Sequence, residues 1–471
     1  MDALAGTSGI EQFDTIVIGA GQAGPGLATF LAGDGQRVAL IEADKVGGTC
    51  LNRGCRPTKA LRASARVAHL ARTAGKHGVD TGDVSVDFAA VIARKDEMID
   101  GWVSGFAEYL GGVERLELIR GEGRFTGTVD GRHHVAVGER VLAAPAVILN
   151  VGTRATVPPT PGLDPALGDV VPYLDNDSVL HLDALPRHLV ILGGSYIGLE
   201  LGQLFRRLGS EVTIIERGPR VAGREDPEIS AEIARFFAAE GVTLRTDVGV
   251  TRVETVDGGV RVVTADGDDV GGTHLLVAVG RTPNTDTLAL DTIGLATDDR
   301  GFVATDGSFH TAVHGVWTLG DVNGRGAFTH TSYQDHEILV DHLRGGARSA
   351  DGRIPTYAMF TDPPLGRVGF NDREARASGR RVLKASFPAS RITRAVLDGE
   401  TDGLVNVLVD ADSEQLLGAS VLCLSGDEIV QIVSALMHAG ASYRVLADML
   451  PIHPTMAEFY PTILKSLTPL T

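Results

Sequence analysis

One pattern occurs twice in the 471-residue chain and restricts its fold more than any other feature. An apolar strand beginning at Asp14 runs into the glycine turn Gly19-x-Gly21-x-x-Gly24, and a helix-like segment and a second apolar strand ending in Glu42 follow. The glycines of such a turn let the backbone approach a pyrophosphate at the N-terminus of the helix, and the acid accepts ribose hydroxyls. This order of strand, turn, helix, strand and acid therefore predicts a dinucleotide-binding unit.

The second copy of the pattern runs from His188 through Gly193 and Gly198 to Glu216. Ser195 occupies the position of the middle glycine, where backbone and pyrophosphate come closest. Because serine is small, we expect tighter packing there rather than lost binding. Two such units in one chain predict two bound dinucleotides.

Residues 46–59 form a second distinctive segment, which holds Cys50 and Cys55, two of only three cysteines. Five residues of ideal helix advance about 7.5 Å, beyond the ~7 Å Cα separation at which a disulfide closes. A bridge therefore needs distorted backbone, and we expect Gly54 to supply unusual dihedral angles. Such a disulfide is more easily reduced than a structural one. Two reduced, buried cysteines are the alternative, but the flanking glycines and the Pro-Thr-Lys tail ending at Lys59 favour a redox pair.

Composition and charge exclude several classes of protein. The formal net charge is −17 and no block of basic residues occurs, so we expect no nucleic-acid partner. No run of about 18 apolar residues could span a bilayer, and the first residues lack the basic and apolar regions of a secretory signal. These features predict a cytoplasmic protein without a membrane partner. A disulfide in that reducing compartment is most often catalytic or redox-sensing.

The C-terminal part of the chain changes character from about Arg353, where strand-like alternation and a helix-like segment predict a separate α+β domain. It ends in a segment containing His453, Pro454 and Glu458. Protonating a leaving thiolate requires an acid with a pKa near neutrality, which histidine supplies. Pro454 is well suited to open a helix, in whose first turn Glu458 could orient the histidine ring.

Together these motifs resemble the class I pyridine nucleotide-disulfide oxidoreductases, the family of glutathione reductase, mycothione reductase, lipoamide dehydrogenase and mercuric reductase. The resemblance covers nearly the whole chain and includes Gly280-Arg-Thr-Pro-Asn284, Gly320-Asp321 and Phe360-Thr-Asp-Pro. It implies an α/β fold with two Rossmann-like dinucleotide-binding domains, for FAD and NAD(P), and a C-terminal α+β dimerisation domain. The expected boundaries are 1–150 and 281–350 for the two FAD segments, 151–280 for the NAD(P) domain and 351–471 for the dimerisation domain.

The resemblance also implies catalytic roles. Cys55 would lie against the flavin as the charge-transfer thiol, and Cys50 would be the interchange thiol that attacks the substrate. Lys59 would lie near the flavin N5 and pair with Glu200, while Tyr196 would cover the flavin until nicotinamide displaces it.

In this family the histidine and glutamate, here His453 and Glu458, enter the other subunit's active site, which implies a homodimer. Asp321 would hold the ribityl chain of the flavin. The cofactor-binding residues expected from the matching motifs are Gly19, Gly21, Gly24, Glu42, Gly48, Thr49, Lys59, Gly152, Gly193, Gly198, Glu216, Arg217, Gly280, Arg281, Asp321, Thr329 and His330.

The sequence therefore predicts an NAD(P)H- and FAD-dependent reductase of a low-molecular-weight disulfide, with no metal. Arg53 and Arg56 beside the cysteine pair would suit an anionic, carboxylate-bearing substrate, unless both face solvent or pair with acids. Glutathione, mycothiol and ergothioneine disulfides remain open as substrates. Mercuric or other metal-ion reduction, a lipoamide dehydrogenase role and a redox sensor without turnover are the alternatives. The C-terminal tail lacks the cysteine pair by which mercuric reductases receive the ion.

The choice between NADH and NADPH also stays open in the sequence. Glu216 would accept the ribose hydroxyl of NADH and repel a 2′-phosphate. Arg217, Arg220 and Arg224 follow closely, and Arg217 aligns by count with a phosphate-binding arginine of the NADPH-dependent glutathione reductases.

Overall fold

The computed structural model describes residues 9–470, which divide into two compact units. The first comprises the described part of Met1–Ala60 together with Ile92–Thr156 and Gly280–Arg353. The second comprises Leu61–Val91, Val157–Val279 and the described part of Ile354–Thr471. Two long helices, Cys55–Thr73 and Phe88–Gly111, each contain one of the points of division.

A five-stranded parallel sheet forms the centre of the first unit. Its strands, in spatial order, are Val316–Thr318, Ala146–Leu149, Thr15–Ile18, Val38–Glu42 and Leu116–Arg120. The three central strands are almost entirely buried apolar runs, which fits strands that are covered on both faces. The unit's other helices are Gly24–Gly33, Gly48–Asn52 and Thr329–Leu343.

Two further sheets complete the first unit. A four-stranded sheet contains Glu11–Gln12, Arg140–Ala144, Arg132–Val137 and Gly123–Val129 in that order, and Arg281–Pro283 pairs with Thr153–Ala155 in a two-stranded ladder. The short 3₁₀ helices are Leu290–Ile293 and Gly320–Asn323.

The second unit begins with another parallel sheet, of the strands Thr243–Arg245, Glu211–Ile215, His188–Leu192 and His274–Val277. Helix Tyr196–Leu208 ends at Gly209, whose φ of 127° terminates it, and helix Pro227–Ala239 follows. The strands Val250–Val256, Gly259–Thr264 and Val270–Gly272 form a small antiparallel sheet. The 3₁₀ helices here are Ala74–His77, Pro165–Leu167 and Ser178–His181.

A six-stranded antiparallel sheet forms the rest of the second unit. Its order is Thr356–Met359, Leu365–Gly369, Leu416–Leu422, Leu404–Asp410, Val382–Pro388 and Thr468–Pro469. Helix Gly426–His438 packs on it through Val430 and Val433, which are buried with Val407 and Val421 in one core. The other helical segments are Asp372–Ala377, Ala389–Arg391, Thr393–Leu397, Arg444–Ala447, Met456–Phe459, Tyr460–Ile463 and Leu464–Ser466.

Both predicted strand–turn–helix–strand units are present, which confirms the expected α/β fold with two Rossmann-like units. One local expectation is wrong. Pro454 does not open a helix, because Thr455 has extended backbone and the 3₁₀ helix begins at Met456. Glu458 nevertheless lies in the first turn of that helix. Among residues 9–470, no helix is both long and apolar enough to cross a bilayer.

Candidate active site

The two cysteines lie on either side of a break between helices. Helix Gly48–Asn52 carries Cys50, and helix Cys55–Thr73 begins at Cys55. Between them Arg53 has φ −145° and ψ 24°, which ends the first helix. The predicted distortion between the cysteines is therefore present, and it lets the Cys50 and Cys55 thiols meet in a hydrogen bond.

Gly54 has a different role from the predicted one. Its φ lies outside the left-handed region, so it does not supply an unusual dihedral angle. A Cβ at this position would instead lie 2.9 Å from the Thr49 carbonyl oxygen, closer than real Cβ contacts. The break requires a glycine at position 54 because of space, not because of backbone conformation.

The Cys50 thiol is half-buried, whereas the Cys55 thiol is exposed. The hydrogen bond with Cys55 and then burial raise the pKa of Cys50, although the charge of Arg56 acts in the opposite direction. The Thr329 hydroxyl lies 3.3 Å from the Cys55 sulfur. In the dithiol state Cys50 therefore keeps its proton, and a base is needed before it can attack a disulfide.

Contacts with the first glycine turn fix the position of the redox loop, which we define as residues 46–55. The Gly47 amide donates to the Ala20 carbonyl at 2.7 Å, and the Gln22 side chain donates to the Gly47 carbonyl at 2.8 Å. Gly48 has φ 58°, and a Cβ there would lie 2.8 Å from the Gly21 Cα. A glycine at position 48 therefore lets the loop lie directly on the glycine turn.

The first glycine turn has the geometry that a dinucleotide pyrophosphate requires. Gly19 has φ 105°, and a Cβ on Gly19 or Gly24 would collide with backbone oxygens. The Glu42 carboxylate accepts hydrogen bonds from the amides of Ala20 and Asp44 at 2.7 and 2.8 Å. Helix Gly24–Gly33 has no acidic residue in its first turn, so its N-terminus is suited to an anion. These residues fit FAD.

The second glycine turn repeats this arrangement. Gly193 has φ 106°, and the Glu216 carboxylate accepts from the amides of Gly194 and Gly218, both at 2.7 Å. Ser195 precedes helix Tyr196–Leu208 with an exposed side chain, and the first turn of that helix has no acidic residue either. The turn therefore fits a nicotinamide dinucleotide despite the substitution of the middle glycine.

The arginines after Glu216 differ in their surroundings. Arg220 donates hydrogen bonds to the carbonyls of Gly223, at 3.2 Å, and Glu225, at 3.4 Å. Arg217 and Arg224 are exposed. The Arg220 guanidinium is therefore engaged with backbone carbonyls. Arg217 is the solvent-exposed arginine that lies nearest to Glu216 in the chain.

Asp321 lies in a polar cluster of the first unit, at the start of the 3₁₀ helix Gly320–Asn323. It accepts a hydrogen bond from the Thr153 hydroxyl at 3.2 Å, and Arg281 in turn donates to that hydroxyl at 2.7 Å. Burial raises the pKa of Asp321, while the charge of Arg281 acts against the rise. The glycines next to this cluster, Gly152 and Gly280, have φ values of 64° and 140°.

Helix Thr329–Leu343 adds residues that the sequence did not reveal. Buried Asp335 accepts from the Gly320 amide at 2.9 Å, from Asn323 at 3.1 Å and from Arg353 at 2.6 Å. This carboxylate holds the turn that carries Asp321. Of the two predicted cofactor residues on the helix, Thr329 contacts Cys55, whereas His330 is exposed and stacks on Phe328.

Tyr196 and Glu200 make contacts within the second unit. The Tyr196 hydroxyl donates to Glu225, whose side chain is fully buried, and the Tyr357 hydroxyl donates to the same carboxylate oxygen at 3.0 Å. Burial, followed by the charge of Glu225, raises the pKa of Tyr196. Glu200 accepts the Phe360 amide at 2.7 Å. The predicted pairing of Glu200 with Lys59, one turn after Cys55, stays a prediction.

The predicted acid–base residues are adjacent in the second unit. His453 Nδ1 lies 2.8 Å from Glu458 Oε2, and the histidine side chain is 71% exposed while the glutamate side chain is 14% exposed. Glu458 is therefore fixed by its surroundings and orients a ring whose other nitrogen can face a second molecule.

The two arginines of the redox loop region differ. Arg53 forms an ion pair with Asp44, which is the alternative that the sequence left open. Arg56 is exposed, and its guanidinium lies over the Trp102 ring, 4.9 Å from the ring centre. Arg56 also lines a cleft of about 480 Å³ in the first unit, which borders the redox loop at Gly47 and Leu51.

Comparison with known proteins defines the class of the chain. Residues 13–335 match the family described as pyridine nucleotide-disulphide oxidoreductase, and residues 355–463 match the dimerisation domain of the same family. The chain therefore belongs to the pyridine nucleotide-disulfide oxidoreductases.

Individual relatives agree over nearly the full length. The chain is 35% identical over 454 residues to the probable pyridine nucleotide-disulfide oxidoreductase RclA of Escherichia coli, covering 95% of this chain and 98% of that protein. It is 33% identical over 463 residues to a dihydrolipoyl dehydrogenase of Cupriavidus necator, covering 95% and 96%. A solved structure, the Cu(II) complex of the HOCl-induced flavoprotein disulfide reductase RclA from Escherichia coli, superimposes with a TM-score of 0.87 at 33% identity, covering 97% and 100%.

These matches confirm the predicted enzyme class. The protein is a flavoprotein disulfide oxidoreductase that uses FAD, with NAD(P)H as the electron donor, and its dimerisation domain supports a homodimer. Within residues 9–470, no group of three or more His, Cys, Asp or Glu side chains is placed to hold a metal ion.

Proposed function

We propose that this enzyme reduces a low-molecular-weight disulfide through Cys50 and Cys55, with His453 and Glu458 as its acid–base pair. The observation that carries the proposal is the meeting of the two thiols at a helix break that lies on the FAD-type glycine turn. The family supplies an electron source on one side of this pair. The cleft that borders the redox loop at Gly47 and Leu51 provides space for a small molecule.

The chemistry follows from the properties of the two thiols. Cys50 loses its proton to His453, and the thiolate attacks one sulfur of the substrate to form a mixed disulfide and release one thiolate, which His453 protonates. Cys55 then gives its proton to His453, its thiolate attacks the Cys50 sulfur to form the Cys50–Cys55 disulfide, and His453 passes that proton to the second thiolate released. FAD, when bound, passes two electrons from the nicotinamide to this disulfide. The sum is RSSR + NAD(P)H + H⁺ → 2 RSH + NAD(P)⁺.

The acid–base assignment is supported by two observations. Because the pKa of Cys50 is raised, the first step requires a base, and an oriented imidazole provides one near neutral pH. We assign His453 to the active site of the partner subunit, as the resemblance implies. The remaining assignments are those that the resemblance implies: Lys59 near the flavin and paired with Glu200, Tyr196 over the flavin, and domain boundaries at 150, 280 and 350.

For the nicotinamide, we propose that NADH is preferred. Glu216 holds its carboxylate at the end of the strand through two backbone amides, where it would repel a 2′-phosphate. Arg220 is engaged with backbone carbonyls and does not compete with this repulsion. Arg217 is then the arginine next to Glu216 that is left as a candidate for binding a 2′-phosphate.

A second candidate function is reduction of a metal ion. It is favoured by the description of the related Escherichia coli structure as a Cu(II) complex, and thiolates are suitable ligands for the Cu(I) that reduction would form. In this reaction two Cu(II) ions, as substrate, would each accept one electron from the Cys50–Cys55 dithiol, which would release two protons and become the disulfide.

One experiment distinguishes these functions. The FAD-loaded enzyme is reduced anaerobically with NADH and then mixed with an oxidised small thiol or with copper(II). Cys50→Ser should remove disulfide turnover and leave flavin reduction by NADH unchanged, because only the second half of the reaction uses this thiol. Cys423→Ser is the matched control, since Cys423 is buried in the C-terminal core. Unchanged disulfide turnover in Cys50→Ser, or reoxidation by copper(II) alone, would contradict the proposal.

A further inference from the structure

The cleft beside the redox loop has an unusual lining. Phe, Trp and Tyr make up 5% of the chain, yet four of them, Trp102, Phe106, Tyr109 and Tyr333, line this one cleft. Trp102, Tyr109 and Tyr333 are 41%, 56% and 52% exposed. Large aromatic side chains gathered at one exposed position mark a binding surface, so the cleft is lined for a flat, π-rich partner.

The charge of the cleft is equally specific. Among residues 9–470, the lining of this cleft contains no Asp, Glu or Lys and a single Arg, which is Arg56. Arg53, the nearest other arginine in the chain, is neutralised by Asp44. A single guanidinium held over an aromatic ring suits one carboxylate, which it can bind through two parallel hydrogen bonds.

His336 provides an uncharged polar group in the same cleft. His336 is only 8% exposed, and its Nδ1 atom is buried. Burial lowers the pKa of His336, so the ring is neutral at physiological pH. Tyr333 packs edge-on against this ring with 4.5 Å between ring centres, and a Cβ on Gly26 would lie 2.9 Å from its Nε2. The buried, neutral imidazole therefore extends the uncharged aromatic lining of the cleft.

We infer that the substrate is a disulfide of an aromatic thiol, each half of which carries a flat ring and one carboxylate. The aromatic lining receives the ring, Arg56 receives the carboxylate, and the sulfur lies toward the redox loop. A peptide disulfide such as glutathione disulfide has several carboxylates and no ring, and it matches this lining poorly. The inference rests on the proposed function, because it requires that a disulfide be the substrate.

Three probe disulfides separate the two recognition elements. Dithiobis(nitrobenzoate) has a ring and a carboxylate on each half, dithiodipyridine has the ring alone, and dithiodipropionate has the carboxylate alone. Their intrinsic reactivities differ, so each variant is compared with the wild-type enzyme on the same probe. Steady-state kcat/KM is measured with the FAD-loaded enzyme and NADH.

Tyr333→Ala should lower kcat/KM about tenfold for the two aromatic probes and leave dithiodipropionate unchanged, because it removes one wall of the ring site. Arg56→Gln should lower kcat/KM about tenfold for the two carboxylate probes and leave dithiodipyridine unchanged. Leu343→Ala, at an exposed residue of the same helix outside the cleft, and Arg300→Gln, at an arginine that lies over the Phe302 ring outside the cleft, are the matched controls and should change none of the three.

The outcomes separate failure of the inference from failure of the proposed function. If Cys50→Ser still turns over all three probes, the thiol relay itself is wrong. If Cys50→Ser is inactive but Tyr333→Ala and Arg56→Gln change no probe, or change all three equally, the relay stands and the inferred substrate class is wrong. Selective turnover of glutathione disulfide with no dependence on Tyr333 would overturn the inference as well.

Discussion

Replacing Asp362 with asparagine should destabilise the second unit. Asp362 is 5% exposed, and its carboxylate is bonded by Arg66 and by Arg207, whose side chain is only 6% exposed. Burial alone would raise the pKa of Asp362, but the charges of Arg207 and Arg66 overcome this effect and hold the pKa below its ordinary value. The ionised carboxylate is therefore part of the folded state.

The magnitude follows from what the two arginines retain. Arg207 keeps Glu240 as a partner at 2.7 Å, and Arg66 keeps Glu400 at 2.8 Å. Removing one member of a buried ion pair costs about 3–5 kcal/mol, and these remaining partners favour the lower end, about 3 kcal/mol. For a unit of this size, about 2 °C per kcal/mol converts this loss to a decrease in Tm of about 6 °C.

The pH dependence has a definite sign. Because the pKa of Asp362 is lower in the folded state, its stabilisation is complete above the unfolded pKa of about 3.9 and is lost as pH falls through the folded value. The difference in unfolding free energy between wild type and Asp362→Asn should thus be constant from pH 7 to about pH 5 and shrink below about pH 4.

Calorimetry of the FAD-loaded enzyme measures these quantities. The matched control is Asp286→Asn, because Arg154 and Asp286 pair at 2.9 Å but their side chains are 49% and 60% exposed. An exposed pair contributes less than about 1 kcal/mol. If Asp362→Asn loses no more stability than Asp286→Asn, the reasoning about the buried carboxylate is refuted.

Three further variants test the site. His453→Ala should slow disulfide turnover by about 10²–10⁴-fold and leave flavin reduction by NADH unchanged in stopped-flow measurements, because only the thiol steps need its proton; equal loss of both half-reactions would contradict the assignment. Glu216→Gln should reduce the ratio of kcat/KM for NADH to that for NADPH, since it removes the charge that repels a 2′-phosphate, and an unchanged ratio would show that the arginines alone decide. Gly54→Ala should lower disulfide turnover because its Cβ would press on the Thr49 carbonyl, whereas Gly112→Ala has ordinary contacts and should not; equal activity would show that the loop tolerates the extra atom.

Local patterns predicted the fold well. The strands His188–Leu192 and Glu211–Ile215 have the bounds that their apolar runs indicate, because the buried face and the glycine turn are both visible in adjacent residues. The places of Glu42 and Glu216 at the ends of their strands were equally predictable, because each acid follows its glycine turn at a regular distance in the sequence. Backbone conformation was less so: a glycine such as Gly54 can be required by its dihedral angles or by space, and the two causes look the same in a sequence.

Long-range polar contacts were the main omission. Glu225 joins Tyr196 to Tyr357, and Asp335 holds the turn that carries Asp321, yet no local pattern distinguishes either acid from a surface residue. Their partners become neighbours only after folding. Arg53 and Arg56 likewise look equivalent in the sequence, yet in the structure Arg53 pairs with Asp44 whereas Arg56 lies over the Trp102 ring.

The cleft lining was missed for a similar reason. Trp102, Phe106 and Tyr109 follow one another on one helix, but Tyr333 lies on a helix far away in the chain and joins them only after folding.

The central claim, that electrons pass from NAD(P)H through Cys50 and Cys55 to a disulfide, is tested most directly by counting thiols. The oxidised FAD-loaded enzyme is treated anaerobically with one equivalent of NADH, alkylated, and digested for mass spectrometry, with and without a following equivalent of an oxidised small thiol. The account predicts that NADH makes both Cys50 and Cys55 available to alkylation, and that the disulfide reverses this change. If Cys50 and Cys55 alkylate to the same extent before and after NADH, the electrons do not pass through this pair and the account is contradicted.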